Sequence, residues 1–445
     1  MRAIQHIITA LLALHGAIHV LGWLKWAHLS PVAQLSGRTL VPLSPLTERA
    51  FAGLWASALI LLTLAAGLRL FSRELWWAPA LAGLLLSQAL IVVSWQDAKF
   101  GTVLNVLLLL PALAGATHAQ FAGRIDHEVG TLLAAATARS EQRPLAATDL
   151  AGLPAPVRRW LEQSGIVGRA PIRTLRLRQR GELRTAPEAA FLPATAEQYF
   201  TVDPPGFVWH VQARMFGVLP VEGRDLLAQG HGEMLIKAAS LVSIVHARDE
   251  KIDHGSKLRF LGEVVWFPSA ALAPYVTWEA IDDSSARATM TSGKDPVSAV
   301  FHFDEQGRVV GLDAERYLGG GPSAQLTPWS IVCTEWRRFE GILVPSRGEV
   351  RWILPAGTFS YYRWEVEDIE FDRPELYGGP ASHHDSQALG DEEEALSAER
   401  RVARGSSDAS VQGRSDGVLP GGVDSGGGAV VDAYLLIRMP TSTTE

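Results

Sequence analysis

Two histidines, His15 and His19, stand four residues apart in the first apolar stretch and so share one face of a helix. Two imidazoles so placed can ligate a metal or a haem iron, and polar groups at bilayer depth are functional candidates by default. Hydrogen bonding to polar groups on other spans, such as Gln88, Ser57 or Asn105, accounts for the same pair without a metal. The other spans hold no second obvious ligand pair, and no Cys/His cluster has zinc-ligand spacing. No cofactor is therefore expected, and His15 and His19 remain the one metal candidate.

Acid chemistry has few carriers. Glu263 is the tempting carboxylate, but Arg259 lies four residues before it, which reads as a surface ion pair. Asp282 and Asp283 fall in DDSS, ordinary turn chemistry between strands, and Asp97 with Lys99 reads as a solvated pair in a short interfacial loop. His210, His231, His246, His254 and His302 are scattered without a triad pattern, and neither a phosphate loop nor a nucleophile elbow occurs. No catalytic residue is assigned. The remaining signal is aromatic. Trp209, Trp266, Phe267, Trp278 and Trp329 lie on or beside elements expected to wrap the inner side of a sheet, as apolar pockets are lined. Core packing explains the same rings. Gln198 and Arg316, polar among apolar strand neighbours, are the expected orienting contacts.

The elements that must position these residues follow from periodicity. Around the run KLRFLGEVVWFPSAALAPY, a helix is expected over 257–267, with Ser256 as N-cap and with Leu258, Leu261 and Val265 on one side. Pro268 should end it and leave Trp266 and Phe267 at a bend. From Ile172 the period becomes two, and Leu175, Leu177 and Leu183 alternate with charged residues. Ala194–Val202 and Phe207–Phe216 form a hairpin about Asp203-Pro204-Pro205-Gly206. Further short strands follow to Ile369, with turn signals between them. This predicts a large antiparallel sheet, curled or an open barrel, with a covering helix, over 171–373.

Before it come four apolar stretches, roughly Ile4–Trp23, Ala50–Phe71, Leu75–Trp95 and Gly101–Gln120, each near the ~20 residues that span a bilayer. Trp23, Trp26, Trp76, Trp77 and Trp95 lie near their ends, where an amphipathic ring suits the membrane surface. The fold class is thus an α-helical four-span membrane domain, 1–120, a helical connector, 121–170, and the mainly antiparallel β domain. Flanking basic residues number five on one face and four on the other, so charge sets no orientation. The net charge of -7 over 445 residues resides in the stretch 375–445, with twelve acidic and five basic residues. The rest is near neutral, which argues against a nucleic-acid partner. That acidic Gly/Ser-rich tail, from 374 onward, is expected to be disordered. The single cysteine, Cys333, permits no intrachain disulfide.

The runs PVRRWLEQSGIVG (156–168), AEQYFTVDPPGFVWH (196–210), LRFLGEVVWFPSAALAPYVTWE (258–279), TPW (327–329) and VPSRGEVRW (344–352) resemble an uncharacterised bacterial membrane-protein family whose soluble part is a domain of unknown function. A looser, architectural similarity is to periplasmic lipoprotein carriers, in which a curved antiparallel sheet under helices encloses an apolar cavity. The resemblance implies a multi-pass protein of a bacterial cell membrane. The reading that follows is a β domain binding a hydrophobic or amphiphilic ligand, with lipid as the first choice. The alternatives are a membrane-anchored sensor or scaffold contacting a protein partner, and a hydrolase without a recognisable motif.

Overall fold

A computed structural model describes residues 2–33, 35–137, 143–217 and 219–378, so the tail beyond Gly378 lies outside the described residues. Helices α1 (Arg2–Trp26), α2 (Pro45–Leu70), α3 (Trp77–Val93, with a 3-10 turn before it) and α5 (Gly101–Thr137) are long and apolar enough to cross a membrane; a four-residue turn, α4 (Trp95–Ala98), lies between the last two. Ser44 caps α2, and Pro45 occupies its first turn, where a missing N–H costs nothing. The bundle is packed with small residues inside. Ala58, Ala65, Ala80 and Ala112 are buried, and Gly16 and Gly83 lie against Leu62. Ile7, Leu14, Ile60, Leu64, Leu85, Leu107 and Leu110 point outward and exposed, the arrangement expected where lipid is the solvent.

On the far side of the bundle Asp97 accepts from the backbone N–H groups of Ser36 and Gly37, each at 3.0 Å. It is a tie between loops rather than a solvated partner of Lys99. Burial alone would raise its carboxyl, but the hydrogen bonds from Ser36 and Gly37 and the charge of Lys25 hold it below the ordinary range.

The second half is one antiparallel sheet of thirteen strands: β1 (Thr174–Leu183), β2 (Leu192–Thr201), β3 (Gly206–Met215), β4 (Leu219–Ala228), β5 (His231–Ala238), β6 (Val242–Ala247), β7 (Val276–Ala280), β8 (Ser285–Met290), β9 (Val297–Phe303), β10 (Val309–Tyr317), β11 (Leu326–Phe339), β12 (Ile342–Leu354) and β13 (Gly357–Phe371). Their order is β6-β5-β4-β3-β2-β1-β13-β12-β11-β10-β9-β8-β7. Two meanders therefore run outward from the central β1–β13 pair, and one connection, from Arg248 to Tyr275, must pass from one edge of the sheet to the other. Strands β5 and β6 are separated at Ala239 and Ser240, which take left-handed backbone angles of 50° and 56°.

That connection holds α7 (Glu250–Glu263) and two 3-10 turns, Val264–Trp266 and Pro268–Leu272. The helix starts seven residues before the expected Lys257. Its N-cap is Asp249, whose carboxylate accepts from the N–H groups of Lys251 and Ile252 at 2.9 Å each, and Ser256 is buried within it. Ser256 packs on Gly232 of β5, while Gly255 faces Arg316 and Gly262 faces Leu312, both on β10. Strands β5 and β10 are eight positions apart in the sheet. Flat, they would be about 38 Å apart, far more than the ~10 Å breadth of one helix, so the sheet must curl around α7. Leu258, Leu261, Val264, Trp266 and Phe267 then enter one core with Phe200, Phe207, Phe301, Trp352, Trp364 and the short helix α6 (Ala155–Ser164).

The fourth apolar helix runs without a break into the expected helical connector. It continues to Thr137, and Phe121, Ile125, Val129, Leu132 and Leu133 pack on Tyr199, Val208 and Leu235. Tyr199 and Val208 are register partners, and their neighbours Gln198 and Trp209 face α7, so α5 lies on the convex side. Strands β2 to β5 are thus held between a membrane helix and α7. Buried charge ties this interface: Arg224 lies 3.0 Å from both Glu128 of α5 and Glu233 of β5, and Arg124 reaches the same Glu233 at 3.0 Å. Past β13, Tyr377 docks on β2, its N–H donating to Tyr199 Oη at 3.0 Å, so the chain remains packed beyond the expected end of the domain at 373.

Candidate ligand site

Three groups of candidate residues occupy three places, and Trp266, Phe267 and Trp278 lie apart from them in the core. In the bundle, His19 Nδ1–H donates to the His15 carbonyl at 2.7 Å, and its Nε2 accepts from the Ser87 hydroxyl at 2.9 Å. His15 Nε2–H donates to Asn105 Oδ1 at 2.7 Å, and Asn105 donates to Gln88 at 2.9 Å. Both nitrogens of His19 are thus engaged, and ligation would have to break those bonds. Ser57, the other expected partner, instead returns its hydroxyl to the Gly53 carbonyl at 2.9 Å. Among the described residues, no group of three or more His, Cys, Asp or Glu side chains is placed to hold a metal ion.

Under the C-terminal half of α7, Gln198 and Trp209 come together with a pair that sequence placed at the surface. Arg259 Nε donates to Glu263 at 2.9 Å and its Nη1 to Asp225 of β4 at 2.7 Å, while Gln198 Nε2 donates to the other oxygen of Glu263 at 2.9 Å. The guanidinium lies 4.5 Å from the Trp209 ring centroid. Glu263 is 8% exposed, so the ion pair is interior, because the helix that carries it is wrapped by the sheet. Burial pushes the Glu263 carboxyl above its ordinary range, against the opposing effects of Arg259 and Gln198. A carboxylate clamped by arginine at this range is a poor general base.

Trp266 and Phe267 sit in the aromatic core. Trp266 donates to the Pro345 carbonyl at 3.1 Å and meets Trp364 edge-on, and Phe267 packs 4.9 Å from Phe200. Trp278 packs on Trp160 and Phe301 near the β7 edge. These three share no site with Gln198 and Trp209.

Arg316 and Trp329 belong to the third place, where the sheet itself opens. The β9–β10 ladder ends at Asp313↔Val300, although β9 begins at Val297 and β10 runs on to Tyr317. A register shift between Val309 and Gly311 bends β10 just before this point, and strand bends of this kind end pairing. Where the strands part lies a cleft of about 570 Å³, lined by Val297, Ala299, Ala314, Leu326, Trp329 and Ile353, with His254 of α7 at its inner end. This is within the ~300–1,000 Å³ of small-molecule sites. Arg316 stands beside it, 5.1 Å over Trp329, with one long hydrogen bond of 3.3 Å to the Tyr361 hydroxyl. Arg287, Asp313 and Glu315 are exposed at the rim, and Asp313 is paired with His302 at 2.9 Å. His254 and Tyr361 carried no sequence signal for this site; only the register that brings β10, β11 and α7 together reveals them.

Fold and site define a class: a bundle of four apolar helices, the last of which runs on to pack against a curled antiparallel half-barrel with an opening in its wall. A family model described as Family of unknown function (DUF6544) matches residues 143–364, so the β half of the chain is similar to that family. No curated protein matches. Among solved structures, the chain is similar to an outer membrane lipoprotein-sorting protein domain from Vibrio parahaemolyticus, at 8% identity and TM-score 0.26, over 46% of this chain and 87% of that one. It is also similar to a LolA superfamily protein from Nitrosomonas europaea, at 12% identity and TM-score 0.26, over 48% and 92%. Likeness at this level carries nothing about activity.

Proposed function

We propose that the β domain of this membrane-anchored protein binds one hydrophobic or amphiphilic molecule, a lipid in the first instance, in the cleft between β9 and β10, with a bacterial cell membrane as its setting. The observation that supports this reading is the unzipped ladder. Continuing strands β9 and β10 in pairing would close the wall, yet they part over a mostly apolar, solvent-accessible space with Trp329 and His254 at its inner end. Trp329 and Arg316 are then ligand contacts, whereas Trp209 and Gln198 support α7 from within.

The test is photo-cross-linking of the full-length protein in neutral detergent with a diazirine-bearing acyl probe, followed by peptide mapping. Labels are expected on 296–300, 313–318 and 326–329, beside those on the apolar helices. Ala314→Trp, which places a ring in the cleft from a half-buried position, should remove the cleft labels while thermal unfolding changes little. Labelling confined to the helices, in wild type and variant alike, would refute the proposal.

A further inference from the structure

The cleft's inner end is electrically lopsided. Arg316 is half-buried, its Nε is shut off from solvent, and among the described residues that nitrogen has no hydrogen-bond partner and the guanidinium no ion-pairing carboxylate. Its surroundings are the Trp329 and Trp352 rings, the Tyr361 hydroxyl and Gly255 of α7. A second cation, Lys257, is buried on the same helix, and its ammonium group is met by the backbone carbonyls of Asp295 at 2.7 Å and Ser292 at 3.5 Å. His254, close to both, keeps Nδ1 buried and, among the described residues, without a hydrogen-bond partner. Its imidazole is pushed below the ordinary range, first by burial and then by the positive charges of Lys257 and Arg316, with Asp295 opposing. Every other largely buried arginine discussed above is different: Arg224 and Arg259 each face two carboxylates.

A guanidinium partly withdrawn from water without a counter-charge is costly, and its planar fork fits the paired oxygens of a carboxylate or phosphate. We infer that the molecule held in this cleft is an anionic amphiphile whose carboxylate or phosphate oxygens are bound by Arg316, with its apolar chain along Trp329, Ala314 and Val297. This rests on the proposed binding reading and specifies its ligand. Gly255 contributes by being side-chain-free: a Cβ there would stand 3.3 Å from Arg316 Nε and crowd the position an oxyanion would take.

The experiment compares half-saturation of cleft labelling by three probes that share one diazirine chain: a fatty acid, the corresponding fatty alcohol and a lysophosphatidate. In wild type either anion should saturate the cleft at about 10- to 100-fold lower concentration than the alcohol, the range for a charge-assisted contact. The better anion tells a free fatty acid from a phospholipid-type headgroup. Arg316→Gln should bring the anions to the alcohol's level and leave the alcohol unchanged, and Arg316→Lys should restore part of the preference. Equal half-saturation of anions and alcohol in wild type overturns the inference while the binding proposal stands; absence of cleft labelling by all three overturns both. Should Arg316→Gln unfold on heating well below wild type, the wild-type preference and the Arg316→Lys variant decide the matter.

Discussion

Arg224→Met should loosen the seam between the membrane helix and the sheet. The wild-type guanidinium is 1% exposed and lies 3.0 Å from both Glu128 and Glu233. Methionine retains the packing but leaves two carboxylates at the interface with only the more exposed Arg124, His246 and Arg248 beside them. Removing one partner of a buried ion network typically costs about 3–5 kcal/mol, because the remaining charges stay desolvated. For a β domain of this size that amounts to a fall of about 6–20 °C in Tm. Thermal unfolding in detergent, followed by tryptophan fluorescence, measures it. The pH dependence supplies a second check. Burial alone would raise the Glu233 carboxyl, but Arg224, His246 and Arg124 hold it at about 2, below 4.5 for a free side chain. Its folded pKa is depressed, so its stabilisation is complete above about pH 4.5 and is lost as the pH falls towards 2. In Arg224→Met this acid-dependent part should shrink, since the carboxyl no longer sits far below its unfolded value. A Tm within about 2 °C of wild type, with the same acid limb, would show that the network carries no such load.

Gly232→Val should destabilise by about 1–3 kcal/mol, since its Cβ would meet Ser256 Oγ at 2.5 Å and the Ile252 carbonyl at 2.7 Å, with no room for α7 to retreat inside the curl. Gly53→Ala, with nothing within 4 Å of the new carbon, is the control and should be neutral or slightly stabilising in chemical denaturation. For His15 and His19, the hydrogen-bonded arrangement predicts purified protein without stoichiometric metal, checked by elemental analysis. Metal present in wild type and lost from the His15→Ala, His19→Ala double variant would instead establish ligation.

Legibility differed by the range of the interactions involved. Span length, tryptophan placement and the period-two strands are local properties, and they determined the four apolar helices, the β2–β3 hairpin about Asp203–Gly206 and the presence of further short strands up to Ile369. That a helix gives way before Pro268 was legible too, with α7 passing at Glu263 into a 3-10 turn that ends at Trp266, but its beginning was not. Ser256 has the chemistry of an N-cap, yet Asp249 holds that role, because its carboxylate also takes the Gly321 N–H, from a loop seventy-two residues away.

Non-local pairing decided the rest. Arg259 and Glu263 form the expected pair, four residues apart, but whether it meets water depends on where β4 and β2 pass, and Asp225 and Gln198 close over it. Arg316 was recognisable as a polar residue in an apolar strand. That it has no carboxylate partner among the described residues and stands beside an opening follows only from β10 leaving β9 after Asp313 and from α7 crossing above it. A single sequence records the chemistry of each side chain and its period along the chain; which distant strand neutralises a charge, and which leaves a gap beside it, is set by the register of the closed fold.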